Sequence, residues 1–305
     1  MVYLYFYIDF YIPIFRKVSC TAAFKMIEIN KLKKRYSNGA YALKGITINL
    51  DDKVATIIGR NGAGKTTLMR ILSTQLLQTS GSVTINGYDI VKDVGEIRKR
   101  IVSIPQEASP IGYLTPLEHI KMYLVARGLS FKQADQDASH ALRELELWEA
   151  RNQPCDMLSG GMKRKVFVAM ALASNAELVF LDEPTTGLDP VSRLEVWSSI
   201  KMLKSNLVLT THYMDEAQEL SKRIVMIDNG EIKEEGTPAS LLKRFTGKVR
   251  IEAPFNDPKS KYRIGNTFIR YVSPREAEKF IKLGYSVKRP TLDDLFIVNG
   301  VEYEA

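Results

Sequence analysis

A regular alternation of apolar and polar residues opens at Met26 and runs through IEINKL and ALKGITINL, the two-residue period of strands with one buried face. Val54–Ile58 is then an almost unbroken apolar run, as a strand covered on both faces would be. A glycine-rich stretch follows, and after it LMRILSTQLL repeats its apolar positions at helical spacing. Residues 107–172 read as mostly helical, with Thr115-Pro116 and Ser159 as helix starts. Strands return at Leu178–Leu181, Leu207–Thr210 and Ile224–Ile227. Strands alternating with helices in this manner predict an α/β fold with a substantial parallel sheet.

Near Gly247 the pattern changes to KVRIEA, a turn containing Pro and Asp, YRIGNTFIRYV and one marked helix. Ser273 is placed as its N-cap, Pro274 at the first position, Glu276 completes a capping box and Gly284 ends it. Three units are expected: a leader (1–25), a main domain (26–247) and a small C-terminal β/α appendix (248–305). The leader begins MVYLYFYIDFYIPIF, but Asp9 and Pro13 break it and about 18 apolar residues are wanted for a membrane span. Arg16 and Lys17 follow the apolar stretch, where a secretory signal would carry them before it.

Composition changes little. With 45% hydrophobic and 26% charged residues among 305, the chain is an ordinary globular protein. Lys and Arg exceed Asp and Glu by 43 to 35, yet the surplus is two in residues 1–25, three in 26–247 and three in 248–305. Nucleic-acid binding needs that charge gathered on one face, so no nucleic-acid partner is expected. Cys20 and Cys155 lie outside any CxxC spacing, and His119, His140 and His212 form no cluster, which argues for a reducing compartment without structural zinc.

The chemistry concentrates at two strand ends. Gly59-Arg60-Asn61-Gly62-Ala63-Gly64-Lys65-Thr66-Thr67 satisfies G-x-x-x-x-G-K-[ST] between a buried strand and a helix. Its glycines let main-chain N–H groups face phosphates at a helix N-terminus. Lys65 reaches the β- and γ-phosphates and the Thr66 hydroxyl takes a Mg2+ position. The second end is Leu178-Val179-Phe180-Leu181-Asp182-Glu183, two carboxylates delivered where open α/β sheets bind ligands. Asp182 suits the Mg2+ shell and Glu183 suits polarising an attacking water. Leu158-Ser159-Gly160-Gly161-Met162 stands at the start of a helix, either an N-cap with a glycine-rich entry or a further anion site.

In order, Tyr36, the phosphate loop, Gln106, Leu158–Met162, Asp182-Glu183, Thr186-Gly187-Leu188-Asp189 and His212 resemble the motif set of the ATP-binding cassette (ABC) family over residues 26 to 240. The resemblance implies a P-loop NTPase fold of ABC type with a helical subdomain, ATP and Mg2+ as ligands, and ATP hydrolysis. It implies that Tyr36 stacks on adenine, with Tyr41 as competitor, and that Gln106 senses Mg2+ and water. His212 would contact the γ-phosphate. Two cassettes would pair head to tail, each ATP lying between one phosphate loop and Ser159, Gly160 and Gly161 of the other copy, with Asp189 tying the two sites together. One chain holds one set, so a second ABC subunit is expected, as a twofold homodimer with both sites active.

SGGMKRK, ending its signature in Met162 where the family has Gln, and Pro290-Thr291-Leu292-Asp293-Asp294-Leu295-Phe296 resemble the ATPase subunits of multidrug and polysaccharide exporters with a separate integral-membrane permease. Read without that resemblance, Thr291 is the N-cap of a terminal helix. The expected place is the cytoplasmic, inner face of the cell membrane, with residues 107–117 meeting the permease. An importer ATPase and a soluble ABC protein acting on ribosomes or nucleic acid are the alternatives.

Overall fold

The structure is a computed structural model, and it describes residues 27–253 and 260–300. The expected leader, Met26 and most of the turn after KVRIEA lie outside the described residues. The chain begins with β1 (Ile27–Arg35), β2 (Tyr41–Leu50), β3 (Val54–Ile58) and α1 (Lys65–Leu72), then β4 (Ser80–Ile85), β5 (Tyr88–Asp89), α2 (Val94–Arg100) and β6 (Ile101–Ile104). The helices α3 (Pro116–Ala126), α4 (Phe131–Glu144) and α5 (Gly160–Ser174) separate β6 from β7 (Leu178–Asp182). Next come α6 (Pro190–Lys201), β8 (Asn206–Thr211), α7 (Met214–Leu220), β9 (Arg223–Asp228), β10 (Glu231–Gly236) and α8 (Pro238–Leu242). The C-terminal part holds β11 (Val249–Ala253), β12 (Tyr262–Ile264), β13 (Thr267–Val272), α9 (Pro274–Ile281), β14 (Ser286–Lys288) and α10 (Asp293–Val298).

The central sheet has the order β10-β9-β3-β8-β7-β6, parallel throughout except for the edge pair β9/β10. Every residue of β7 and four of five in β3 are buried, because layers cover both faces of the sheet. On one side lies the antiparallel sheet β2-β1-β4-β5, whose Ile27, Ile29, Leu32 and Leu43 share a core with α1 and β3. The alternation in β1 slips by one residue. Ile29 pairs with Ile48 and Leu32 with Ile46, so a bulge with Lys31 at φ 47° returns Leu32 to the buried face.

The helical stretch packs against the other region of the sheet. Helix α5 is buried on most sides, from Lys165 to Ala171, among Ala134, Ala138 and Ala141 of α4 and Val196 and Trp197 of α6. Capping follows the residues: Thr115 and Glu118 form a capping box at α3, and the Ser159 hydroxyl accepts from Met162 N at 3.2 Å at α5.

Two local expectations are corrected and one is met. The helical pattern of LMRILSTQLL ends at Leu72, because the Ser73 hydroxyl turns back to Met69 O at 2.8 Å and Thr74 adopts φ 62°. The capping box of α9 forms as expected, and Gly284 (φ 83°) ends the helix as expected: Gly284 N donates to Ile281 O and Tyr285 N to Phe280 O, each at 3.1 Å, the paired bonds of a glycine C-cap. At α10 the capping runs in reverse, since the Asp294 carboxylate accepts from Thr291 N at 2.6 Å and the Thr291 hydroxyl is engaged with Asp293 and Asp294.

The third sheet, β12-β13-β11-β14, has a small core of its own around Ile251, Val272 and Ala277. Leu292, Leu295 and Phe296 of the terminal motif instead join Met214 and Ala217 of α7, Ile224 and Met226 of β9, and Leu241. Asp294, fully buried, anchors this packing: Arg250 Nη1 donates to it at 3.0 Å and the Tyr271 hydroxyl at 2.5 Å. Burial and that carboxylate push the Tyr271 phenol far above its ordinary range.

Candidate nucleotide site

The site forms where β3 and β7 end. Beyond Ile58 the chain turns through Gly62 (φ 79°) and Gly64 (φ 107°) into α1. A Cβ on Gly64 would meet Ala42 O at 2.5 Å, so only glycine fits there. The loop curls about Lys65, whose ammonium donates to Gly59 O at 2.8 Å and Arg60 O at 3.2 Å and lies 3.3 Å from Glu183 Oε1. Beside the loop is a cavity of about 380 Å³ lined by Tyr36, Asn61, Gly62, Gly64, Lys65, Thr66, Thr67, Gln106 and Glu183.

Asp182 ends β7 and Glu183 follows at φ 48°, a left-handed conformation costing about 1–3 kcal/mol for a side-chain-bearing residue. Two bonds hold it there: Glu183 N donates to Thr210 O at 3.1 Å and to Thr210 Oγ1 at 3.0 Å. The turn separates the two carboxylates. Asp182 accepts from the hydroxyls of Thr210 and, at 3.4 Å, Thr66. Burial raises its pKa, opposed by those two hydroxyls. Oxygen donors from Thr66 and Asp182 in contact are a set that suits Mg2+.

Glu183 gathers the rest of the site on its other oxygen. Oε2 accepts from Gln106 Nε2 at 3.2 Å and Thr186 Oγ1 at 3.0 Å, and His212 Nδ1 lies 3.0 Å away. Burial alone would raise this carboxyl, but the His212 bond, the Lys65 charge and the Thr186 hydroxyl outweigh it and hold the pKa at about 2. Three strands thus deliver one cluster: β6 supplies Gln106, β7 Glu183 and β8 His212. Thr210 carries no signal in the sequence, and Thr186 stands in the Thr186–Asp189 motif, three residues after Glu183, with no role assigned to it there.

Of the two tyrosines, Tyr36 lines the cavity with its hydroxyl 3.1 Å from Thr67 Oγ1. Tyr41 is half exposed beneath the Arg35 guanidinium and does not line it. Ser159, Gly160 and Gly161 do not line the cavity either. They start α5, with Ser159 and Gly160 exposed, and pack on the segment after Gly187: a Cβ on Gly160 would lie 3.2 Å from Leu188 and one on Gly161 2.9 Å from Ser192. Asp189 caps α6 there, accepting from Val191 N at 3.0 Å and Ser192 N at 3.1 Å.

Sheet order, phosphate loop and paired strand-end carboxylates define a P-loop NTPase of the α/β class. A family model described as ABC transporter matches residues 43–186. The chain is 36% identical over 241 residues to the daunorubicin/doxorubicin resistance ATP-binding protein DrrA of Streptomyces peucetius, covering 78% of this chain and 72% of that one. It is 35% identical over 227 residues to the phospholipid-transporting ATPase ABCA3 of Mus musculus, covering 73% of this chain but only 13% of that much longer protein. Among solved structures, the dimeric post-hydrolysis ATP-binding cassette MJ0796 bound to ADP and Pi has a TM-score of 0.63 at 28% identity, covering 70% of this chain and 98% of that one. The chain belongs to the ABC transporter family and carries its ATPase cassette.

Proposed function

We propose that the chain is the ATP-hydrolysing subunit of an exporter, pairing with a second copy on ATP and driving a separate integral-membrane subunit from the cytoplasmic face of the cell membrane. The observation that carries this reading is the convergence of Lys65, Gln106, Thr186 and His212 on the two oxygens of Glu183 beside the phosphate loop. ATP would lie with its base against Tyr36 and its phosphates in the main-chain N–H groups of residues 59–67. Lys65 then exchanges Glu183 for phosphate oxygens, which releases Glu183 Oε1 to accept a proton from water. Gln106 and His212 keep that carboxylate oriented. Thr66, Asp182 and Gln106 would hold Mg2+, which neutralises charge on the transferring phosphoryl group.

Ser159 and Gly160 are exposed at a helix N-terminus away from the chain's own cavity, the placement needed to close a second copy's nucleotide. A twofold pair makes two equivalent sites. Among the described residues no helix is long and apolar enough to cross a membrane, so the transport path is assigned to the separate subunit. The loop at 107–115 presents Tyr113 at 75% exposure and is braced by Cys155 N to Leu114 O and Asp156 N to Gly112 O, at 2.8 and 3.0 Å. That braced, apolar projection supports it as the contact with the membrane subunit. Export is favoured over import by the similarity to DrrA.

The test is Glu183→Gln. It should bind ATP with near-native affinity, lose turnover by about 100-fold or more, and accumulate as an ATP-dependent dimer in light scattering. Undiminished hydrolysis, or a chain that stays monomeric with saturating ATP, would overturn the reading.

A further inference from the structure

Helix α5 begins with the residues that would meet a second copy's nucleotide, and one side chain a single turn further on leads back to the chain's own carboxylate. Arg164 follows Gly160 by four residues, one helical turn. Its Nη2 donates to the main-chain oxygen of Gln106 at 2.6 Å, and Gln106 Nε2 donates to Glu183 Oε2 at 3.2 Å. Two hydrogen bonds therefore connect the helix that carries Ser159 to Glu183. The bond to Gln106 is short and charge-assisted, the strong class of hydrogen bond. Nη1 of the same guanidinium is buried and makes no hydrogen bond. Burial lowers the Arg164 pKa, and Glu107 and Glu216 oppose that shift by their charge. The guanidinium is thus held through one arm, on the main-chain oxygen of Gln106, so that a displacement of α5 acts on Gln106 through that single bond.

We propose that Arg164 is a positioning residue that passes engagement of Ser159, Gly160 and Gly161 by a second copy's nucleotide to Gln106 and Glu183 of its own chain, so that each ATP site is readied by occupancy of the other. The inference rests on the dimer reading above. Two sites joined in this way bind ATP cooperatively, and by linkage the coupling of their affinities is reciprocal. The role depends on a donor at the end of a long side chain, which a methionine lacks and a lysine partly restores.

The experiment compares Arg164→Met and Arg164→Lys in the full chain. Arg164→Met should keep the KM for MgATP within about twofold, lower kcat at least tenfold, and reduce the Hill coefficient of ATP hydrolysis towards one, with most of kcat recovered in Arg164→Lys. The double variant Glu183→Gln/Arg164→Met should still form the ATP-dependent dimer, because Arg164 does not line the cavity and its guanidinium is turned to Gln106 of its own chain. Retention of both kcat and the Hill coefficient in Arg164→Met overturns the proposal. So does a parallel loss of affinity, thermal stability and kcat that Arg164→Lys does not recover, which is the signature of packing alone. If Glu183→Gln itself never dimerises, the dimer reading falls and this inference with it. If Glu183→Gln dimerises and Arg164→Met is unaffected, only the inference falls.

Discussion

Lys65 Nζ and Glu183 Oε1 face each other at 3.3 Å, with side chains only 4% and 5% exposed. A buried ion pair of this kind is strongly favourable relative to either charge alone, so a phosphate group that takes Lys65 must also leave Glu183 a compensating partner. His212, at 3.0 Å from the other oxygen, is that partner.

Lys65→Ala removes the cation that pairs with Glu183 and that, in the proposed function, turns to the phosphates. MgATP affinity should fall at least tenfold by titration calorimetry, consistent with loss of a charge-assisted bond of about 1.5–3 kcal/mol. A dissociation constant within twofold of wild type would mean the ammonium does not reach the phosphates.

The pH dependence of stability has a defined sign. The folded Glu183 pKa, about 2, lies below its ordinary value of 4.5. Its contribution is therefore complete above pH 4.5 and lost as pH falls towards 2. Over that window wild type should lose more thermal stability than Glu183→Gln, which has no carboxylate to protonate. Parallel melting curves for the two proteins across the window would contradict the depressed pKa.

Tyr36 and Tyr41 are separated by their surroundings. Tyr36→Ala should weaken MgATP binding about tenfold, within the 1–3 kcal/mol attributed to base stacking on an aromatic ring, while Tyr36→Phe and Tyr41→Ala stay near wild type. Fluorescent-nucleotide binding would distinguish them, and an equal loss in Tyr41→Ala would reverse the assignment.

Glu216, fully buried in α7, accepts from Thr185 Oγ1 at 2.7 Å and Trp197 Nε1 at 2.8 Å, joining α7 to α6 and to the segment after Glu183. Removing it by Glu216→Ala leaves two buried donors unsatisfied and should cost about 1–3 kcal/mol in urea unfolding, with Glu216→Gln milder. Burial raises its pKa, so its stabilising contribution is largest at low pH and falls as pH rises through the folded value. Glu216→Gln should therefore gain on wild type as pH rises above 4.5, the ordinary value of the carboxyl. A constant difference would show that the carboxyl titrates as it does unfolded.

Much of the site is legible in the chain because its chemistry is carried by consecutive residues. Gly62, Gly64, Lys65 and Thr66 stand on one loop, and Asp182 and Glu183 end one apolar strand. Strands β3, β7 and β8 are equally plain, since burial on both faces demands unbroken apolar runs. Strand β10 was not legible: EIKEEG is an edge strand with a single half-buried apolar residue, and its pairing with β9 supplies what its side chains do not. Nor did the terminal motif reveal where it packs, because Leu292, Leu295 and Phe296 are apolar towards any core and only the position of α7 and β9 selects one.

The amino-acid pattern alone carries the phosphate loop, the identity of the paired carboxylates and the buried strands β3, β7 and β8, because these depend on local spacing and burial, and its ordered motifs carry the resemblance to the family. Tertiary structure alone decided that Gln106, Thr186 and His212 share one oxygen of Glu183, that Tyr36 and not Tyr41 lines the cavity, and that Arg164 reaches the residue carrying Gln106. Those relations join residues up to 77 positions apart along the chain, and only the parallel alignment of β6, β7 and β8 brings their ends to one place.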